Sequence, residues 1–342
     1  MQTTADISTS LSRQDTGALK GIAIIAMLFH HIYAFPPADI EPYHGLLAFL
    51  GTIGKVCVSI FLFCSAYGLS QQYNGTDTIV DSLKFVLKRL VKFYLNYWVI
   101  FLIFVPISVF VFSRPLTAAY GETTIWKVLC RDLLGLQGFS SYNVTWWFNE
   151  LIIKFYILFP IAYYLCRKIP ALFVLSSIAL YGIGVEVDVY WFVFISGILW
   201  HQYEATISRY LNRLPQWLLI VTSVLLCIGA SWIRGLFPNL LWDMFFTWTF
   251  VLLTITLLRL CQPLMKGLSF LGKHSGNIYM THTFIYSYWL SKYVYICDLR
   301  IGGGIAVVLV ICLLLSVLIE YMKARAGVYK LSNYIVQHIE QY

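Results

Sequence analysis

The chain has 342 residues, of which 59% are hydrophobic, 17% aromatic and only 12% charged, with a formal net charge of +8. A soluble domain would carry about twice that share of charge, so a water-soluble globular enzyme is excluded, and the basic balance is read as loop topology rather than as a nucleic-acid surface. The apolar residues fall in blocks of roughly 16 to 28, the length that crosses about 30 Å of hydrocarbon as a helix, which makes the fold class all-α: a polytopic integral membrane helical bundle.

About ten transmembrane helices are predicted, near residues 18–36, 46–72, 93–112, 146–166, 170–185, 189–205, 215–233, 240–261, 273–291 and 301–323. Residues 1–17, MQTTADISTSLSRQDTG, lack the basic start, short apolar core and small-residue cleavage site of a signal peptide, and are expected to be a cytoplasmic tail. The first span opens with LKGIAIIAMLFHH, Leu19 to His31. Eleven helical steps of about 100° return Lys20 and His31 to nearly the same face, while His30 lies roughly 80° away. That stripe is ~16 Å long, so His31 comes near the membrane midplane, where a polar group is costly and is a functional candidate. A neutral imidazole there takes a proton from a hydroxyl or carries an acyl group. The plainer alternative is that His30 and His31 hydrogen-bond neighbouring helices and Lys20 anchors the span.

The second span contains VSIFLFCSAYGL, Val58 to Leu69, in which Ser65 and Tyr67 are candidates to line a cavity. Helix packing through Ser65 and Ala66 is the alternative, and no GxSxG supports a serine nucleophile. Next comes QQYNGTDTIVDSLKFVLKRLVKF, with Lys84, Lys88, Arg89 and Lys92 on an amphipathic lead-in to the third span. Such a cluster suits anionic lipid headgroups or the phosphates of a soluble cofactor. Residues 113–145 form the longest loop, and TTIWKVLCRDLLG within it reads as a short interfacial helix.

In SYNVTWWFNELIIKFYILFP, Glu150 and Lys154 stand at i,i+4 with the acid first, the favourable order for a helical ion pair. Lys154 lies inside the span and needs a partner or water; Trp146 and Trp147 read as an interfacial belt. Late in the chain, LGKHSGNIYMTHTFIY places His282 at a depth similar to that of His31, either lining the same cavity or making a structural hydrogen bond. The eight cysteines are scattered without a CxxC, read as small core residues, and imply no metal. With the N-terminus inside, the larger share of the 24 lysines and arginines falls on the cytoplasmic side, which puts both termini there, residues 327–342 as a C-terminal tail and residues 18–326 as the membrane domain.

Together these stretches resemble the membrane-bound acyltransferase 3 family from about Leu19 to Arg325. The family opens with an arginine, ten residues and a histidine; LKGIAIIAMLFHH keeps that spacing, with Lys20 in place of the arginine. VSIFLFCSAYGL is similar to the family's apolar run ending in Ser-Gly-aromatic, with Ala66 for the glycine. LKRLVKFYLNYW resembles the basic entry to the next span, through Arg89 and Lys92. WWFNELIIKFYILFP matches the Trp-aromatic run at Trp147, Phe155, Tyr156 and Pro160, and LGKHSGNIYMTHTF matches the late Ile-Tyr and His pattern.

The resemblance implies transfer of an acyl group, usually acetyl from cytoplasmic acetyl-CoA, onto a surface polysaccharide or its lipid-linked precursor at a bacterial inner (plasma) membrane. It implies a single-module enzyme without an esterase-like domain, membrane lipids and polysaccharide biosynthesis proteins as partners, His31 with Lys20 as the catalytic pair, and Lys84, Lys88, Arg89 and Lys92 as holders of the CoA phosphates. His31 acts as general base or briefly carries the acetyl group. The competing classes are a transporter or flippase of a lipid-linked sugar, with His31, Lys154 and His282 as its path, and a non-catalytic subunit of a polysaccharide synthase.

Overall fold

A computed structural model describes residues 8–37, 40–73, 75, 78–121, 125–183, 189–237, 241–297 and 303–341. Residues 1–7 of the predicted N-terminal tail and Tyr342 of the C-terminal tail lie outside the described residues. Among the described residues there are helices and no strand.

The chain begins with α1 (Arg13–Ala34), α2 (Gly45–Gly54), α3 (Val56–Ser70) and α4 (Ile79–Phe110), then the short α5 (Thr117–Tyr120) and α6 (Ile125–Leu133). There follow α7 (Trp147–Lys168), α8 (Pro170–Gly182), α9 (Tyr190–Leu211), α10 (Gln216–Leu236) and α11 (Leu241–Thr256). Last come α12 (Gln262–Lys273), α13 (Ser275–Thr283), a π-helical stretch over Phe284–Trp289, α14 (Ser291–Cys297), α15 (Gly303–Arg325) and α16 (Val328–Gln341).

Among the described residues, seven helical segments are long and apolar enough to cross a membrane: Arg13–Ala34, Gly45–Ser70, Ile79–Phe110, Val144–Lys168, Gln216–Leu236, Trp242–Leu260 and Gly303–Arg325. Of the other three predicted spans, α8 has only 13 residues. The helix α9 carries His201, Gln202, Glu204 and Arg209 in its second half. The third is broken where α13 gives way to the π stretch.

The helices gather into two compact units. The first comprises Met1–Phe35, Pro42–Gly75 and Phe159–Ser275, the second Pro36–Glu41, Thr76–Leu158 and Gly276–Tyr342.

In the first unit α1 starts at Arg13, five residues before the predicted span, because Ser12 and Asp15 form a reciprocal capping box. Arg259 clamps that start, donating to both Asp15 carboxylate oxygens (2.9 and 2.8 Å) and to the carbonyls of Ser8 and Ser10. Thr9 and Leu11, expected in a solvated tail, are buried. The Leu11 amide donates to the Tyr67 hydroxyl (2.7 Å), which donates in turn to Glu204 (2.7 Å), while the Trp200 indole donates to the Thr9 carbonyl (3.1 Å).

Glycine sets the closest helix contacts. Gly17 and Gly21 on α1 meet Gly272 and Leu268 on α12, and Gly51 and Gly54 on α2 meet the last turns of α1, with no room for a Cβ. Without a hydrophobic drive between helices in lipid, such close backbone approach is what holds them together.

In the second unit α4 runs unbroken from its Thr78 cap through the basic stretch and into the apolar one, as its sequence pattern predicts. Its aromatic face packs Tyr97, Phe101 and Phe104 against Tyr142, Trp146 and Phe284. Trp146 is therefore not part of an interfacial belt: it is 1% exposed and its indole donates to the Met280 carbonyl (3.0 Å). The long loop is fastened by buried Asp132, which accepts from the Tyr120 hydroxyl (2.5 Å) and the Tyr142 amide (2.6 Å). Tyr97 donates to the Asp132 carbonyl (2.6 Å). The predicted interfacial helix is present as α6, with Trp126 76% exposed. The C-terminal segment forms α16, tied to α15 by Tyr329 donating to Glu320 and to α4 by a 2.9 Å Lys88–Glu340 ion pair. Cys57, Cys64, Cys166 and Cys312 are core residues as expected, whereas Cys130 and Cys261 are exposed.

Candidate active site

Helix α1 carries the site from one end to the other. Near its start, a cavity of about 920 Å³ opens between α1, the end of α3 and α12. Arg13 and Lys20 from α1 and Lys266 and Lys273 from α12 line it, together with Cys64 from α3 and Gln71 just beyond its end, and among the described residues no aspartate or glutamate lines it. Glycine makes this space possible, since the contact of Gly17, Gly21 and Gly272 brings two cation-bearing helices together backbone to backbone. Four cations around one space without a carboxylate repel each other, and a bound polyanion relieves that repulsion with charge-assisted hydrogen bonds.

Three turns along α1 stand His30 and His31. Their rings are 5.2 Å apart, and both lie beside Phe35. Lys20 and His31 are both half-buried, whereas His30 is buried, which agrees with the stripe inferred from helical spacing. His30 points at α2, where its Nδ1 lies 2.7 Å from the Gly51 carbonyl. A carbonyl only accepts, so Nδ1 carries the proton and Nε2 the lone pair. Because α2 stops at Gly54, the carbonyl of Gly51 is one of the last four without a partner in its own helix, and His30 takes it. The first unit thus brings Lys20, His30 and His31 onto one element with the cationic cavity at its start.

The other predicted residues are placed as follows. Ser65 is half-buried on α3, and Tyr67 is buried and binds the Thr9–Leu11 segment and Glu204. Lys84, Lys88, Arg89 and Lys92 lie on α4 in the second unit, where Lys88 already has Glu340 as its partner. Glu150 and Lys154 form the expected i,i+4 pair at 2.6 Å. His282, also in the second unit, is fully buried, with Nδ1 2.8 Å from the Tyr279 carbonyl. It stands just before the π stretch, beside the Thr145–Thr283 hydroxyl pair (2.9 Å).

Sequence reading did not find Lys266 and Lys273 as site residues, because they are some 250 positions from Lys20 and appear only as topological cations. It also missed two buried charges. Lys323 is 2% exposed, and its amine donates to Asn96, to Asn277 (2.8 Å) and to Glu320 (2.9 Å). Arg234 is buried against Asp243. A cation at a span end reads the same whether it faces water or the core, and only the polar partners on other helices distinguish the two.

Comparison with known proteins adds an independent finding. Residues 17–321 match the acyltransferase domain family. The chain is similar to the acyltransferase MdmB of Streptomyces mycarofaciens, with 30% identity over 131 residues, 36% of this chain and 32% of that protein, so the match spans about a third of the relative's length. No solved structure matches.

Proposed function

The chain belongs to the acyltransferase 3 family, and from that premise we propose that it moves an acetyl group from acetyl-CoA to a hydroxyl of a surface polysaccharide, or of its lipid-linked precursor, at a bacterial plasma membrane. The observation that carries this reading is the cavity lined by Arg13, Lys20, Lys266 and Lys273 with no carboxylate among its described lining residues. The nucleotide end of CoA, with its pyrophosphate and ribose phosphate, is the polyanion that such a space favours.

His31, on the same stripe as Lys20, takes the proton of the acceptor hydroxyl as its oxygen attacks the thioester carbonyl. The new C–O bond forms, the C–S bond breaks, and the proton passes from the imidazole to the departing thiolate. His30, fastened to Gly51, holds the end of α1 in place for that exchange. Lys84, Lys88, Arg89 and Lys92 are proposed as a supplementary basic surface for the donor, with Glu340 as a competing anion.

The test uses the purified full chain in detergent with acetyl-CoA. Hydrolysis or transfer of acetyl is expected from the unaltered protein and not from His31→Ala. Lys266→Glu and Lys273→Glu are each expected to raise the KM for acetyl-CoA by about tenfold or more, and to leave acetyl-pantetheine, which lacks the nucleotide phosphates, nearly unaffected. A protein that neither hydrolyses nor transfers acetyl, as a transporter would behave, overturns the proposal. So does an unchanged KM in both lysine variants.

A further inference from the structure

Arg259 stands in the tight turn between α11 and α12, and its guanidinium spans the start of α1. Nε and Nη2 donate to the two Asp15 carboxylate oxygens at 2.9 and 2.8 Å, while Nη1 and Nη2 donate to the carbonyls of Ser8 and Ser10. Asp15 is 3% exposed, and its carboxylate also accepts from the Ser12 amide (2.8 Å) and hydroxyl (2.7 Å). A capping box is complete with those two residues, and the end of the helix already favours an acid there. The guanidinium adds what capping does not require, a charge opposite to that of Asp15.

That charge matters because of where Asp15 lies. Its two neighbours in the chain, Gln14 and Thr16, both line the cationic cavity. Along α1 it is about 3 Å of rise from Arg13 and about 8 Å from Lys20, within the distance over which charges act at ordinary ionic strength, roughly 8–10 Å. Arg259 is tied to the same wall, since the Gln262 amide donates to its carbonyl (2.9 Å) and the Gln262 oxygen lies 3.5 Å from the Gln14 amide. An unpaired Asp15 would set a negative charge directly behind a space whose described lining holds only cations. Coulomb forces act through such a wall without contact, and Arg259 cancels this one.

We propose that Arg259 is a positioning residue for the donor: paired with Asp15, it keeps the cavity electropositive and so sets the affinity for the phosphates of acetyl-CoA, leaving the acetyl end untouched. The inference rests on the reading that those phosphates occupy the Lys20 cavity. Charge then fixes the order of variants. Neutralising Arg259 lowers the summed charge beside the cavity by one unit, neutralising Asp15 raises it by one, and neutralising both restores it. A clamp that merely held α1 in place would behave otherwise, because either loss would loosen it and the double loss would loosen it no less.

The experiment uses the full chain in detergent at low salt and about pH 8, where carboxylates are ionised, and measures the KM for acetyl-CoA and the Kd for adenosine 3′,5′-bisphosphate. Arg259→Gln is expected to raise both by about fivefold or more, Asp15→Asn to lower both, and the two together to return both to within about twofold of the unaltered protein. Arg259→Lys keeps the charge but not the fork, so it is expected to hold the Kd within about twofold while melting earlier. The kcat and the KM for acetyl-pantetheine, which lacks the nucleotide phosphates, are expected within about twofold throughout. A double variant that binds as weakly as Arg259→Gln assigns the pair a purely structural role and overturns the proposal. If Arg259→Gln is not recovered folded, Asp15→Asn decides alone: KM and Kd fall where charge governs, and values that rise or stay unchanged overturn the proposal. Values unmoved in Arg259→Gln but raised in Lys266→Glu overturn this inference and leave the donor reading standing, whereas values unmoved in Lys266→Glu and Lys273→Glu as well overturn both.

Discussion

His30 and Gly51 are joined by a 2.7 Å hydrogen bond that runs between two helices, from an imidazole nitrogen to a carbonyl freed by the end of α2. His31, one residue on, is half-buried on the stripe that leads back to Lys20. The two histidines should therefore respond differently to truncation. His30→Ala leaves a buried carbonyl unpaired and is expected to lower stability by about 1–3 kcal/mol, visible as an earlier thermal melt in detergent. His31→Ala is expected to transfer no acetyl while the protein is still recovered folded from the membrane. A His30→Ala melt indistinguishable from that of the unaltered protein would deprive the Gly51 bond of its importance.

The contact of α1 with α12 makes a second forecast. A Cβ at Gly272 runs into the Gly17 carbonyl, and backbone cannot yield as a flexible side chain does. Gly272→Ala is expected to push the helices apart, to cost about 1–3 kcal/mol, and to raise the KM for acetyl-CoA by reshaping the cavity. Gly267→Ala on the same helix meets open space and should stabilise by about 0.5–1 kcal/mol through helix propensity alone. Equal effects from the two substitutions would count against the close contact.

Asp132 supplies a dependence on pH. Burial holds its carboxyl above the ordinary range, partly offset by the donors from Tyr120 and Tyr142. The folded state then keeps the proton more readily than the unfolded one, so this stabilisation is fully present below the ordinary carboxyl range and is lost as pH rises through the raised value. Asp132→Asn should abolish that slope. An amide oxygen can serve Tyr120 and Tyr142, and its NH₂ can donate to the Tyr97 hydroxyl, which itself donates to the residue's own carbonyl. The asparagine variant is therefore expected within about 1 kcal/mol of the original at pH 7, whereas Asp132→Ala loses about 2–4 kcal/mol with the tyrosines left unpaired. Urea unfolding at a series of pH values reads both.

Glu340 and Lys88 make an exposed pair, and the Lys88 ammonium, with Lys92 and Lys84 behind it, holds the Glu340 carboxyl below its usual range. The attachment of α16 to α4 is thus present above the ordinary glutamate range and is lost as pH falls through the lowered value. Glu340→Gln should leave the melt unchanged, because exposed pairs contribute little. If the α4 cations assist the donor, the same variant lowers the KM for acetyl-CoA; an unchanged KM at low salt would limit the donor to the Lys20 cavity.

Much of the helical plan was legible in the sequence where one periodicity governed a long run. The Lys20–His31 stripe, the unbroken passage of α4 from basic to apolar, and the Glu150–Lys154 pair all depend on local spacing, which helix geometry fixes. The break at Lys55 within the second span was not legible, because apolar character is continuous across it and the interruption serves a partner, His30, two helices' width of chain away. Trp146 misled for a related reason: an indole near a span end suits the membrane interface, and only Tyr97, Phe101 and Phe284 from other segments make that spot a core. The cavity cations required the most distant information, since Lys266 and Lys273 meet Lys20 only after glycine has let α12 lie against α1.

The threading of Thr9 to Leu11 between Tyr67, Trp200 and Glu204 has a practical side. Deleting the first twelve residues as dispensable would uncork the base of the first unit, strip the Arg259 guanidinium of the Ser8 and Ser10 carbonyls, and let water reach groups that now see only protein. An affinity handle is better spliced ahead of Met1 with the native stretch left whole than substituted for it.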